Sequence, residues 1–204
     1  MVRDLEDLDG DRNGRLSFLS KGHLLPHFLP LEDLVQGKAL YNIFDIQLPD
    51  RIRDRVFEGV EGARVVVAKI ARFEHEVPLL RQELKAYEGL RAQGFAAMPK
   101  LYEYVFEEEE DRVVGFAMEF LHGPHALPDD LEDCEGVLTK IHRCGYILGD
   151  LNRYKWIRTD DGMKVIDFGA VMSHADAVVS PSEEVAALPG HLVDESGIGW
   201  RRDP

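Results

Sequence analysis

Leu138-Thr-Lys-Ile-His-Arg-Cys-Gly-Tyr-Ile-Leu-Gly-Asp-Leu-Asn-Arg-Tyr-Lys-Trp-Ile157 and, five residues later, Met163-Lys-Val-Ile-Asp-Phe-Gly169 decide how the chain is read. The first stretch reads as the end of an amphipathic helix followed by a turn that exposes an acid, Asp150. A strand pair folded about Thr159-Asp-Asp-Gly162 comes next, and its second arm, Lys164 to Asp167, ends in another acid before Phe168-Gly169.

Outward from this centre, Leu131 to Cys144 places Leu131, Cys134, Leu138 and Ile141 on one helical face, with Gly145 as the stop. Residues 122–130 hold two prolines and a glycine and read as a connector between two lobes. Before it, Leu101–Phe106 and Val113–Leu121 read as strands around the acidic run Glu107–Asp111, which suits a solvated hairpin tip. His75 to Gln93 repeats Val77, Leu80, Leu84, Tyr87 and Leu90 at spacings of three and four, a helix stopped by Gly94. Val56–Val60 and the β-branched Ala63–Ala71 read as a hairpin with glycines at its turn. A short helix is expected from Ser182 to Leu188, and residues 1–50 are the least legible part.

The 204 residues carry a formal net charge of −14, which disfavours general nucleic-acid binding, since that requires a basic surface. The two cysteines, Cys134 and Cys144, form neither a disulfide framework nor a zinc pair. The first residues lack the basic flank and apolar core of a signal peptide. The longest apolar stretch, Val65 to Ile70, is interrupted by Lys69 and is too short for a bilayer. An intracellular, cytoplasmic protein without membrane attachment is therefore expected.

Two acids seventeen positions apart and flanking a hairpin suit phosphoryl transfer. One can accept the hydroxyl proton of an acceptor while the other holds magnesium on nucleotide phosphates. The order of pieces is a strand with Val66-Val-Ala-Lys69, a helix with Glu83, a strand ending Met118-Glu-Phe-Leu121, the Gly149-Asp150 loop, and Asp167-Phe-Gly169. This order resembles the protein-kinase-like superfamily over roughly residues 55–172, and within it the small fungal kinase-like proteins related to aminoglycoside phosphotransferases. Their loop typically reads Gly-Asp-Leu-Asn-Arg-Tyr-Asn.

The resemblance implies an α+β, two-lobed fold. The N-terminal lobe would cover residues 1–121 as an antiparallel sheet with one helix, and a reduced, mostly helical lobe would cover 122–204. It implies ATP and Mg2+ as cofactors and a phosphotransferase acting on a hydroxyl of a small molecule or a protein. Lys69 would contact the α- and β-phosphates, and Glu83 would pair with Lys69, with Glu76 and Glu88 competing for that role. Glu119, Phe120 and Leu121 would form the adenine hinge. Asp150 would orient the acceptor hydroxyl or accept its proton, and Asp167 would bind magnesium.

Departures from the pattern support an alternative, a pseudokinase acting through protein partners. Lys155 stands where kinases place the Asn of the second magnesium, and an ammonium has no lone pair to give. Leu148 replaces the His of His-x-Asp. No Gly-x-Gly-x-x-Gly precedes Lys69; Gly59 and Gly62 lie on the hairpin turn expected nearest it, and a phosphate cover would otherwise come from residues 36–58, around Gly37. Only 35 residues follow Gly169, which leaves little for an activation segment and favours a minimal small-molecule kinase, a degenerate kinase or a truncated chain.

Two further signals have weaker readings. Asp9 to Ser17 matches the first nine positions of a calcium loop, but position twelve is Ser20 rather than Glu, so a turn-rich segment is the better reading. His122-Gly-Pro-His125 reads as a hinge loop, and His142 as a residue that packs or caps.

Overall fold

The computed structural model describes residues 28–30, 34, 38–53, 55–61 and 64–194. The calcium-like loop Asp9–Ser20, Gly37, Gly62 and the residues after 194 lie outside them. The fold is α+β. A six-stranded mixed sheet has the order β1-β5-β6-β4-β3-β2, formed by β1 (Leu40–Asn42), β2 (Gln47–Arg53), β3 (Val56–Glu61), β4 (Arg64–Ile70), β5 (Leu101–Glu107) and β6 (Glu109–Glu119). β1 runs parallel to β5 and the other neighbours are antiparallel. Helix α1 (Val77–Ala92) covers one face. Helix α2 (Leu131–Arg143), the β8–β9 hairpin (Trp156–Thr159 and Gly162–Val165), the β7–β10 pair (Tyr146–Ile147 and Met172–Ser173) and helix α3 (Pro181–Leu192) follow the sheet in the chain.

Alternation along the strands, shifted by one residue in β6 where its pairing with β5 slips between Val113 and Gly115, divides the sheet residues between two cores. Ala68, Ile70, Val105, Val114 and Ala117 join Ile46 on one face, while Tyr104, Val113, Phe116 and Met118 meet Leu80, Leu84, Tyr87 and Leu90 of α1 on the other. Lys69 lies between Ala68 and Ile70 in β4, so the same alternation turns it toward the α1 face. Gly115 lets β6 pass close beside it, because a Cβ there would stand 2.1 Å from the Lys69 carbonyl oxygen.

The expected elements recur with shifted ends. The acidic turn narrows to the region of Glu108, which adopts φ 64°, and Glu109–Asp111 extend β6. Helix α3 runs past Leu188 to Leu192 despite Pro189, and starts with a capping box between Ser180 and Glu183. Four strands were not foreseen: β1 and β2 of the sheet, and the two-residue β7 and β10. β2 is an edge strand, and Pro49 falls between the Gln47 and Asp50 pairs where its register with β3 shifts, a place where sheets tolerate proline.

The glycine-marked turn is not the one nearest Lys69, contrary to the sequence expectation. Val56 pairs with Lys69 while Glu61 pairs with Arg64, so the β3–β4 turn lies five residues away, ~17 Å along the strand. The β2–β3 turn, next to the Arg53–Val56 pair, lies at the Lys69 end, and no glycine occurs between those two residues.

Candidate functional site

A buried ion pair forms the centre of the site. Lys69 from β4 meets the Glu83 carboxylate from α1, with both side chains under a tenth exposed. Lys69 Nζ also lies 3.4 Å from Asp167 Oδ1. Burial by itself would lower the Lys69 pKa, but the Glu83 charge, and then that of Asp167, outweighs it and holds the ammonium above its usual range. Of the three glutamates weighed from sequence, Glu83 is the one that reaches Lys69. Glu76 instead caps the turn before α1, taking the Arg72 and Phe73 amides at 2.7 and 3.2 Å, and Glu88 pairs with Arg91.

Glu83 has a second task, since its Oε1 accepts the Phe168 amide at 3.2 Å. The fully buried Phe168 ring meets Tyr87 of α1 edge-on, with centroids 5.0 Å apart. These contacts fix the Asp167-Phe-Gly segment against α1. Asp167 itself has φ 65°, left-handed backbone that Asp tolerates better than most residues and that commonly marks functional positions.

Asp150 stands on the loop after β7, with its side chain 45% exposed. Its carboxylate accepts from the Asn152 side-chain amide at 2.9 and 3.1 Å and from Lys155 Nζ at 3.1 Å. Burial acts to raise the Asp150 pKa, but the Lys155 charge and the Asn152 hydrogen bonds prevail and hold it below the ordinary aspartate value. Lys155 therefore points inward rather than to solvent. Its Nζ also donates to the Asp167 carbonyl oxygen at 3.1 Å. Gly149 is required beside it, because φ is 82° and a Cβ would stand 2.4 Å from the Ala170 carbonyl oxygen.

The Asp150 loop is braced by a residue that sequence reading missed. Glu184 of α3 is buried, and its carboxylate accepts the Leu148 and Gly149 amides at 3.2 and 2.7 Å. His142 Nε2 lies 2.6 Å from the same carboxylate. A carboxylate only accepts, so this nitrogen is the one that carries the proton. Leu148, fully buried, packs into the core beneath this brace.

Burial acts to raise the Glu184 pKa, but the His142 and backbone hydrogen bonds outweigh it and lower the pKa below the ordinary 4.5. Its stabilisation is therefore complete above that value and declines as pH falls through the lowered one. Glu184→Ala would strand three donors and is expected to cost about 2–4 kcal/mol at neutral pH. Urea unfolding of the two proteins across pH should show the gap shrinking in acid. A gap that is absent at pH 7, or that widens in acid, would contradict the assigned role.

A cavity of about 310 Å³ opens beside these groups, within the range of small-molecule sites. Ile52, Val56, Val67 and Met118 of the sheet line one wall, while Tyr154, Ile157 and Ile166 line another. Lys69, Lys155 and Asp167 also line it, as do Glu119, Phe120 and Leu121, so the residues expected at the hinge border the same space as the charged cluster. His122 and His125 line it too. Among the described residues, no group of three or more His, Cys, Asp or Glu is placed to hold a metal by itself.

Cys134 and Cys144 are free thiols, and burial, followed by Asp130 and Asp133, pushes the Cys134 pKa up to about 12. Among the described residues no helix is long and apolar enough to cross a membrane. No protein-family model matches the chain, and no curated protein matches it.

Proposed function

We propose that this protein is a two-lobed, protein-kinase-like phosphotransferase that uses ATP and magnesium and acts on a hydroxyl of a small molecule or protein. The observation that carries the reading is the convergence of Lys69, Glu83 and Asp167 at the edge of a mostly apolar cavity, with Asp150 joined to Asp167 through Lys155. A buried cation held by a carboxylate suits binding of nucleotide phosphates, and an apolar slot beside it suits a base. The sheet with α1 forms one lobe, and α2, α3 and the two small strand pairs form the other.

The residues fit a magnesium-nucleotide. The Asp167 carboxylate is a hard oxygen donor, 38% exposed, and magnesium usually takes one or two carboxylates together with phosphates rather than a full protein cage. Bound magnesium would neutralise charge on the phosphates, with Asp167 as its protein ligand. Lys69 would contact the phosphates, and Glu83 would keep Lys69 extended toward them. Phe120 and Leu121 would face the base. Asp150 would orient the acceptor hydroxyl. Its oxygen would bond to the transferred phosphorus as the bond to the nucleotide diphosphate breaks, and its proton would pass to the Asp150 carboxylate.

The same geometry favours one alternative. Asp150 is already engaged by Lys155 and Asn152, which suits a pseudokinase that binds nucleotide, or only keeps the fold, and acts through partners. Thermal-shift titration with ATP, with and without magnesium, tests nucleotide binding. A hundredfold excess of ligand over its Kd should add about 2.7 kcal/mol of stability. The shift should depend on magnesium and should be lost in Asp167→Ala. No shift at millimolar nucleotide would overturn the nucleotide reading.

A further inference from the structure

The Lys155 side chain is 4% exposed, an unusual place for an ammonium unless something pairs with it. Its backbone is fixed from both sides: its amide donates to the Asn152 carbonyl oxygen at 3.1 Å, and its carbonyl oxygen accepts the Ile166 amide at 2.8 Å. From that anchored position Nζ reaches Asp150 Oδ2 and the Asp167 carbonyl oxygen, both at 3.1 Å. The ammonium thus bridges the two acidic loops, in the manner of a metal ion holding two anionic segments together.

We infer that Lys155 is the site's built-in second cation, so that the protein takes one divalent metal ion per bound nucleotide and holds the Asp150 and Asp167 loops in register without a second ion. The inference rests on the nucleotide-binding reading and specifies its metal requirement.

Two features of the donor set support it. The side-chain oxygen of Asn152, two residues from Asp150, accepts the Tyr154 amide at 3.1 Å, while Asn152 Nδ2 donates to Asp150. That side chain turns its oxygen toward the backbone and its amide toward the acid, the reverse of what a second metal would need. The Asp150 oxygens are in turn directed at Asn152 and Lys155.

Charge points the same way. Glu83, Asp150 and Asp167 supply three carboxylates, and Lys69 and Lys155 return two positive charges. The Lys155 ammonium already lies between Asp150 and the Asp167 backbone, so a second divalent ion drawn there would meet a like charge, which repels strongly in a partly desolvated site. Lys155 is on this account a positioning residue. It sets where Asp150 stands relative to Asp167 and how many metals enter.

Counting Mn2+ per chain tests this without any turnover. Free Mn2+ is followed by its electron paramagnetic resonance signal while it is titrated into the full chain with saturating non-hydrolysable ATP analogue. Wild type should bind one Mn2+ in the nucleotide-dependent class. Lys155→Asn, which removes the ammonium and offers a carbonyl oxygen, should bind two. Two ions on wild type would overturn the inference while leaving nucleotide binding in place, as would an unchanged count of one in a folded Lys155→Asn variant. If wild type binds no nucleotide in the presence of Mn2+, the inference and the proposed function fall together. The wild-type count decides alone if the variant does not fold.

Discussion

Glu83→Ala should destabilise the protein by about 3–5 kcal/mol, because it strips a buried ammonium of its principal partner. Lys69 gains little from water in exchange, since its side chain is 8% exposed and its strand lies inside the sheet between β3 and β6. Asp167, at 3.4 Å and partly exposed, would remain as a weaker carboxylate partner. The Phe168 amide, buried with its ring, would also lose its acceptor, so the Asp167 segment should loosen from α1 in the same variant. Equilibrium urea unfolding gives the number directly, and a loss under about 1 kcal/mol would show that the pair is not held as described.

The companion variant separates stability from function. Replacing both partners, as Lys69→Met with Glu83→Leu, removes two desolvated charges and fills their volume with apolar atoms. Such swaps are often neutral or stabilising by about 1–4 kcal/mol. If the double variant is as stable as wild type while Glu83→Ala is not, the pair is not needed for folding stability. Its retention would then call for another cause, and binding of an anion at Lys69 is the one the geometry suggests.

Particular residues show how far the sequence could be read. The α1 stripe of Leu80, Leu84, Tyr87 and Leu90 is apolar at helical spacing, so the helix and its buried face were legible. Glu83 falls within that face, and a charged residue there signals a buried partner. Spacing alone did not separate it from Glu76 and Glu88, because the choice depends on where β4 lies relative to α1. The α2 stripe read through Ile141 extends one step further to His142, whose role depends on Glu184, forty-two positions away.

The Glu184 brace left one local trace, the Ser180-Pro-Ser-Glu183 capping box that fixes where α3 begins and therefore which way Glu184 points. β1 and β2 were illegible for a different reason. Both are edge strands, and β2 contains a proline and charged residues that obscure its alternation. The orientation of Lys155 was likewise undecidable from sequence, since an inward and an outward lysine leave the same letter. Its direction is set by the turn of 3-10 helix at Arg153–Lys155 and by the Ile166 amide bond to its own carbonyl.

Asp150→Asn should lower turnover by about 10²–10⁴-fold while leaving the magnesium-dependent nucleotide shift intact, because a positioned base contributes on that scale. Asparagine keeps the shape and one acceptor oxygen for Lys155, so the loop should keep its fold and the loss should appear in kcat. The lowered Asp150 pKa adds a second expectation. Burial alone would raise it, but the Lys155 charge and Asn152 hydrogen bonds hold it below the ordinary 3.8, so the carboxylate stays ionised well into acid. On the proposed reading it would then be a weak base that orients the hydroxyl early and takes the proton late, which suits a loose phosphoryl transition state. Activity should accordingly show no acid limb from Asp150 between pH 5 and 8. Single-turnover phosphotransfer measured across that range, on wild type and Asp150→Asn, is the check. Turnover of the variant within tenfold of wild type would remove Asp150 from the reaction and move the balance to the pseudokinase alternative.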